Sequence, residues 1–405
     1  MTSQQAQHLR LIFWASISAH ATVASFIYVS TFLPTFDSSA SAVLPSDTPR
    51  LLSALLRWDV FHFVAAALDR RYEHQWAFLP GLPAVMRIAP RTSALQGPLA
   101  AGALGALACS TLAPRALYAL SLHHLKSPRL ALLASLLWLV PASPATLLFA
   151  PYAEAYFALF SFQGMLECTK KRYVRAAAMF ALATAFRANG VLLAGYILYD
   201  LVAQPVLLSR CVPPLASMLK AAVLSAVVLT PFIWHQYTAY RLFCASDAGP
   251  GLPPWCADAI PSVYTYVQSK YWNNGFLRYW TPAQLPNILL AAPLLTLLLT
   301  FSLSHLMHFL PDLLRTPQAA PRAPTPFLSA SLAPYAIHTL ILSLVLLLAS
   351  HTQIALRLAS ALPTTSWAAA RLLVERPRVG RAWITWGVGW GAVSVVLWTT
   401  FLPPA

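Results

Sequence analysis

Between Leu11 and Phe36 the chain carries no Asp, Glu, Lys or Arg, and stretches of the same kind recur along most of its length. An apolar stretch of ~20 residues is long enough for an α-helix to cross a bilayer. Mostly uncharged runs lie at roughly 11–32, 97–120, 129–150, 152–166, 175–187, 189–206, 216–237, 285–309, 331–350, 356–372 and 382–402. They predict an all-α polytopic membrane protein with about eleven transmembrane or re-entrant helices, formed by a single domain over 1–405. The runs at 152–166, 175–187 and 356–372 are short and fit re-entrant or packed half-spans. Leu11–Phe36 is too long for the apolar core of a cleaved signal peptide and reads as a signal anchor and first span.

Composition agrees. Charged residues make up 10% of the chain, whereas soluble domains carry about 25%. A soluble fold of this length would lack the charge to coat its surface. The net charge of +15 could mean nucleic acid. The basic residues lie mostly between apolar runs, however, as in cytosolic loops of membrane proteins. With the N-terminus in the cytosol, the clusters 123–129, 170–175, Arg315 with Arg322, and 376–381 all fall inside. Two long polar loops, about 33–96 and 238–284, then fall on the lumenal side. Arg70, Arg71, Arg87 and Arg91 run against the charge rule, but long loops translocate largely regardless of charge. Leu51–Leu68 reads as an amphipathic interfacial helix. The proline-rich stretch 311–326 reads as a plain cytosolic connector.

Any carboxylate base must come from twelve acidic residues. Asp59 sits among aromatics in the run Arg57-Trp58-Asp59-Val60-Phe61-His62-Phe63. Aromatic surface strips water from a carboxylate and moves it toward the working range of a base. Trp58 is suited to stacking on a sugar face, although an interfacial aromatic belt produces the same pattern. The segment 72–80, with Glu73 and His74, mixes hydrogen-bonding groups with aromatics as polyol sites do. It also fits a loop docked on the membrane surface. Glu154 lies at a span boundary, where an acid is costly and often functional; a helix N-terminal acid favoured by the dipole is the slightly preferred reading. Cys244 and Cys256 are the only cysteines of the second loop and can pair in an oxidising lumen. Cys109, Cys168 and Cys211 are expected free. No spacing resembles a metal site, and no Asp-x-Asp or glycine-rich phosphate loop occurs.

Several segments in order resemble the GPI mannosyltransferase 2 family of the PIG-V type, its fungal members in particular. These are Trp58-Asp59 with Phe63, then Tyr72-Glu73-His74-Gln75-Trp76-Ala77-Phe78-Leu79-Pro80, and Pro144-Ala145 through Pro151-Tyr152-Ala153-Glu154. Arg187-Ala188-Asn189-Gly190 follows, then Pro254-Trp255-Cys256, Pro261-Ser262-Val263-Tyr264, and 271–280 with Asn273, Asn274 and Arg278. Gln284-Leu285-Pro286-Asn287 and His351-Thr352-Gln353 with Arg357 complete the set. The stretch after Arg357 departs from the family pattern.

The resemblance implies a C-type glycosyltransferase architecture in the endoplasmic reticulum membrane. It implies dolichyl phosphate mannose as donor, a GPI precursor lipid as acceptor, and α-1,6 transfer of the second mannose with inversion. Some fungal relatives work with a small accessory membrane subunit. On this reading Asp59 is the general base and needs no metal or cofactor. Arg278 or Arg357 meets the phosphate, and Trp58, Glu73, His74, Glu154, Gln284 and Asn287 contact or orient the sugars. The alternative is a multi-span lipid or solute transporter, for which internal repeats and mid-membrane charges are expected.

Overall fold

The structure is a computed structural model, and it describes residues 3–69, 72–89, 95–245, 251–314 and 325–403. Arg70, Arg71, Arg91, Asp247, Arg315, Arg322 and most of the proline-rich stretch lie outside the described residues. Among the described residues the regular elements are helices. Seven are long and apolar enough to cross a membrane: Ser3–Ser30, Gln96–Leu125, Ala188–Leu207, Leu215–Cys244, Pro282–Phe309, Ala330–Leu348 and Pro377–Thr399.

We label the helices used below α1 (Ser3–Ser30), α2 (Val60–Leu68), α3 (Gln96–Leu125), α4 (Pro128–Trp138), α5 (Ala153–Thr169), α6 (Tyr173–Phe186), α7 (Leu215–Cys244), α8 (Val263–Lys270), α9 (Leu285–Leu314), α10 (Ala333–Leu348), α11 (Pro363–Glu375) and α12 (Pro377–Thr399). Each of the eleven apolar runs meets a helix. The run 129–150 is not one span, however: α4 stops at Trp138 and a short helix restarts at Pro144. Pro141 and Pro144 explain the break, because proline lacks the N–H that would continue the ladder. Leu51–Leu68 is likewise not one helix. A short turn over Arg50–Ser53 is separated from α2 by Trp58, whose φ of 51° lies in the left-handed region.

Local signals set the tight connections. Lys126 ends α3 in a left-handed conformation, Ser127 accepts from Leu130 N–H, and Pro128 opens α4 at a position that needs no donor. The core is the stack of α3, α5 and α6. Helix α5 is almost wholly buried and rich in small residues, which let helices approach closely in a membrane. Gly164 is the sharpest case: a Cβ there would sit 2.4 Å from the Phe180 ring of α6.

The polar ends separate. At one end Lys171 pairs with Asp200 at 3.0 Å, and His124 bonds Tyr335 at 2.9 Å and Ser331 at 3.1 Å. Arg371 donates to Ser304 at 3.0 Å. The basic clusters of the described residues therefore gather there. The two long polar loops meet at the other end, where the cleft described next is built.

Candidate functional site

Asp59 occupies the position before the first turn of α2, where Asp often caps a helix, yet its side chain makes no cap bond. Its Oδ2 instead accepts from Arg357 Nη1 at 3.1 Å. The turn that aims it is tied down from behind. Arg57 is buried and donates to the backbone oxygens of Ser53 and Leu56 at 2.8 and 2.9 Å. Burial lowers the pKa of its guanidinium to about 10, with Asp37 acting in the opposite direction. Trp398 Nε1 donates to Ala54 O at 3.1 Å, so the end of α12 grips the same segment. A left-handed aromatic residue such as Trp58 costs about 1–3 kcal/mol and persists only where its surroundings over-determine it.

Arg357 is the hub. Its Nε donates to Glu154 Oε1 at 2.8 Å, and its guanidinium lies 4.6 Å from the centre of the Tyr152 ring. Tyr152 Oη in turn accepts the Asp59 N–H at 3.2 Å. Arg187 Nη1 donates to the same Glu154 oxygen at 2.9 Å. Glu154 is 1% exposed at its side chain, Arg357 13%, Arg187 18% and Asp59 33%. The result is a charge-balanced chain, Asp59–Arg357–Glu154–Arg187, most open to solvent at its Asp59 end and sealed at Glu154. Glu154 does lie in the first turn of α5, as the dipole reading expects, but its carboxylate is committed to two guanidinia.

Arg187 and Asn189 reach the site because the chain doubles back after α6. Gly190 makes this possible: a Cβ there would lie 2.5 Å from Thr184 Cα and 2.7 Å from Thr184 N. The Arg-Ala-Asn-Gly run is thus a close backbone crossing that turns two polar side chains into a cleft.

That cleft has a volume of about 360 Å³. Asp59, Arg187, Asn189, Asn274 and Arg357, with His351 and Gln353, contribute to its polar lining, and Leu342, Val345 and Leu346 of α10 supply an apolar wall. Residues from both long loops and from the segment 350–358 therefore share one pocket. Inside it, Arg187 Nε, Asn189 Nδ2 and Asn274 Oδ1 are buried without a partner among the described residues.

The loops are locked together beside the cleft. Glu73 accepts from Trp255 Nε1 at 2.9 Å and from Tyr271 OH at 3.2 Å. The Cys244–Cys256 disulfide anchors the Trp255 turn to the end of α7. Cys109, Cys168 and Cys211 are not in disulfides. Phe78 packs on Trp272 at 5.3 Å, and His351 bonds Trp272 O at 2.7 Å. His62 stacks on Phe78 and meets His74 edge-on at 5.2 Å. Burial pushes the His62 imidazole below its ordinary 6.5, while nearby Asp59 pulls it back.

Of the residues singled out in the sequence, Asp59 and Arg357 line the cleft, and Glu154 buttresses it. Trp58 does not face it; its ring packs against Phe401 at 5.6 Å. Glu73 is used in the latch between loops, and His74 stacks on Tyr72 outside the lining. Arg278 turns away to donate to Ser269 Oγ at 2.7 Å. Gln284 and Asn287 bond each other at 2.8 Å at the start of α9 and are also outside the lining. Arg187, Asn189 and Asn274 also line the cleft; the sequence places them in family-like segments but assigns them no role. Their signal was an arginine at the end of an apolar run followed by Asn-Gly, and an Asn-Asn-Gly turn.

Comparison with known proteins places these features in context. The family model described as Mannosyltransferase (PIG-V) matches residues 9–405. The GPI mannosyltransferase 2 of Cryptococcus neoformans var. neoformans serotype D is 33% identical over 413 residues, covering 93% of this chain and 94% of that protein. The GPI alpha-1,6-mannosyltransferase 2 of Mus musculus is 33% identical over 369 residues, covering 80% of this chain and 74% of that protein. The solved Archaeoglobus fulgidus oligosaccharyltransferase aligns with a TM-score of 0.44 at 13% identity, over 95% of this chain and 55% of that one.

Proposed function

The chain belongs to the PIG-V mannosyltransferase family, and from that premise we propose how its cleft works. Its activity is mannose transfer in GPI-anchor biosynthesis, as an α-1,6-mannosyltransferase. The transporter alternative finds no support.

The donor is dolichyl phosphate mannose, and the cleft opens to the lumen of the endoplasmic reticulum. Asp59 is the general base. It takes the proton from the acceptor mannose 6-hydroxyl as that oxygen attacks the anomeric carbon. The bond from that carbon to the phosphate oxygen breaks, and its electron pair leaves with dolichyl phosphate. One displacement inverts the centre and needs one base, without a covalent enzyme intermediate. The leaving phosphate is a stable anion and needs no acid.

Arg357 is the positioning residue for the base. With Glu154 on one side and Tyr152 beneath, its fork fixes where the Asp59 carboxylate points. The apolar wall from α10 gives the polyisoprenyl chain a path alongside polar groups. The observation that carries this reading is the meeting of two sequence-distant loops around one solvent-accessible carboxylate.

The test is rescue of cells lacking the second GPI mannosyltransferase, with the lipid precursors analysed. The wild-type chain is expected to clear the species stalled at one mannose. Persistence of that species despite membrane-inserted, folded protein refutes the assignment.

A further inference from the structure

Two buried N–H donors in the cleft have nothing to bind. Arg187 Nε and Asn189 Nδ2 both lack a partner among the described residues, and both residues line the pocket. An unmade hydrogen bond on a buried donor costs about 1–3 kcal/mol, so a ligand that completes it recovers that cost on binding. Arg357 is occupied chiefly with orienting the base. Its Nε and Nη1 are committed to Glu154 and Asp59, and its face lies on Tyr152. Arg278, the other arginine expected to meet the donor, is turned to Ser269.

We infer that Arg187 and Asn189 form the seat of the departing phosphate, with Arg187 Nε and Asn189 Nδ2 donating to its oxygens. The inference rests on the mannosyl-transfer reading and assigns residues that it leaves open. Charge arithmetic supports the choice. Two carboxylates and two guanidinia leave the chain Asp59–Arg357–Glu154–Arg187 neutral at rest. When Asp59 accepts the acceptor's proton, the chain becomes singly positive. At the same moment the phosphate changes from a singly charged diester to a monoester carrying a second negative charge. Attraction between seat and leaving group therefore grows along the reaction, and only interactions stronger in the transition state raise the rate.

The seat is tested by binding of a short-chain polyprenyl phosphate to the full-length chain in nanodiscs, with the uncharged polyprenol as control. Asn189→Ala is the informative variant, because the Asn189 side chain makes no hydrogen bond to the described residues and its loss breaks nothing internal. Its dissociation constant for polyprenyl phosphate is expected to rise about tenfold, equivalent to ~1.4 kcal/mol. Asn189→Asp places a negative charge beside the phosphate and is expected to weaken binding further. Arg187→Lys, which keeps the charge and loses Nε, is expected to resemble Asn189→Ala. Affinity for the polyprenol should be the same in all four proteins. Wild-type affinity for the phosphate in both Asn189 variants overturns the seat, as does an equal loss for the polyprenol. If the wild-type chain clears the one-mannose species yet the Asn189 variants bind normally, the seat alone is wrong. If the wild-type chain fails to clear it, the functional reading falls instead.

Discussion

Replacing Glu154 by Gln removes one charge from the most buried link of the site. One oxygen of this carboxylate receives two guanidinium bonds, at 2.8 and 2.9 Å, and its side chain is 1% exposed. At an effective dielectric constant of ~20, each contact has a gross Coulomb energy of about 6 kcal/mol. Desolvation of the three charges offsets most of that sum. What remains on breaking one buried partner is about 3–5 kcal/mol, because the two arginines are left facing each other across a neutral amide. The effect divides between stability and geometry. Thermal unfolding in nanodiscs should drop by about 3–6 °C. Transfer by the folded fraction should fall by ~10²-fold, because Arg357 no longer holds Asp59 and a displacement of about 1 Å is that costly. Glu154→Asp keeps the charge on a shorter arm and should lie between. The assays are unfolding by intrinsic fluorescence and mannose transfer at matched folded protein. A Glu154→Gln protein that unfolds within a degree of wild type and transfers at a similar rate would refute the reasoning.

Two further perturbations probe the supports of the cleft. Cys244→Ser with Cys256→Ser opens the turn that presents Trp255 to Glu73. It should lower stability by about 3 kcal/mol in the chain-entropy model and expose 251–263 to limited proteolysis. Gly190→Ala drives a methyl group to 2.5 Å from the Thr184 backbone. It should cost about 1–3 kcal/mol and reduce donor binding as Arg187 and Asn189 shift; unchanged unfolding and binding would show that the crossing is not tight.

The membrane architecture was legible because helix length, hydropathy and charge asymmetry are local properties. Every apolar run meets a helix for that reason. The departures were also local but concerned backbone detail. Proline spacing split 129–150, and the left-handed Trp58 split 51–68, which hydropathy alone does not register. Asp59 was visible because acids are scarce and this one is surrounded by aromatics. The partnership of Glu154 with Arg357 spans 203 residues of sequence, so no local pattern announces it. Arg278 and Arg357 look alike in sequence as arginines of the expected site, and only packing shows that one faces the cleft and the other Ser269. Glu73 and His74 carry sugar-binding chemistry by type, yet the fold spends Glu73 on joining two loops.

Asp59→Asn offers the sharpest measurement, since it keeps the shape and the Arg357 hydrogen bond while abolishing basicity. Transfer of mannose from dolichyl phosphate mannose should fall by ~10²–10⁴-fold at matched folded protein, while polyprenyl phosphate binds at least as tightly as to wild type, because the neutral amide leaves Arg357, Glu154 and Arg187 with a net positive charge. An Asp59→Asn protein that transfers mannose at close to the wild-type rate would show that proton removal occurs elsewhere, and that the cleft between the two loops is not organised around this carboxylate.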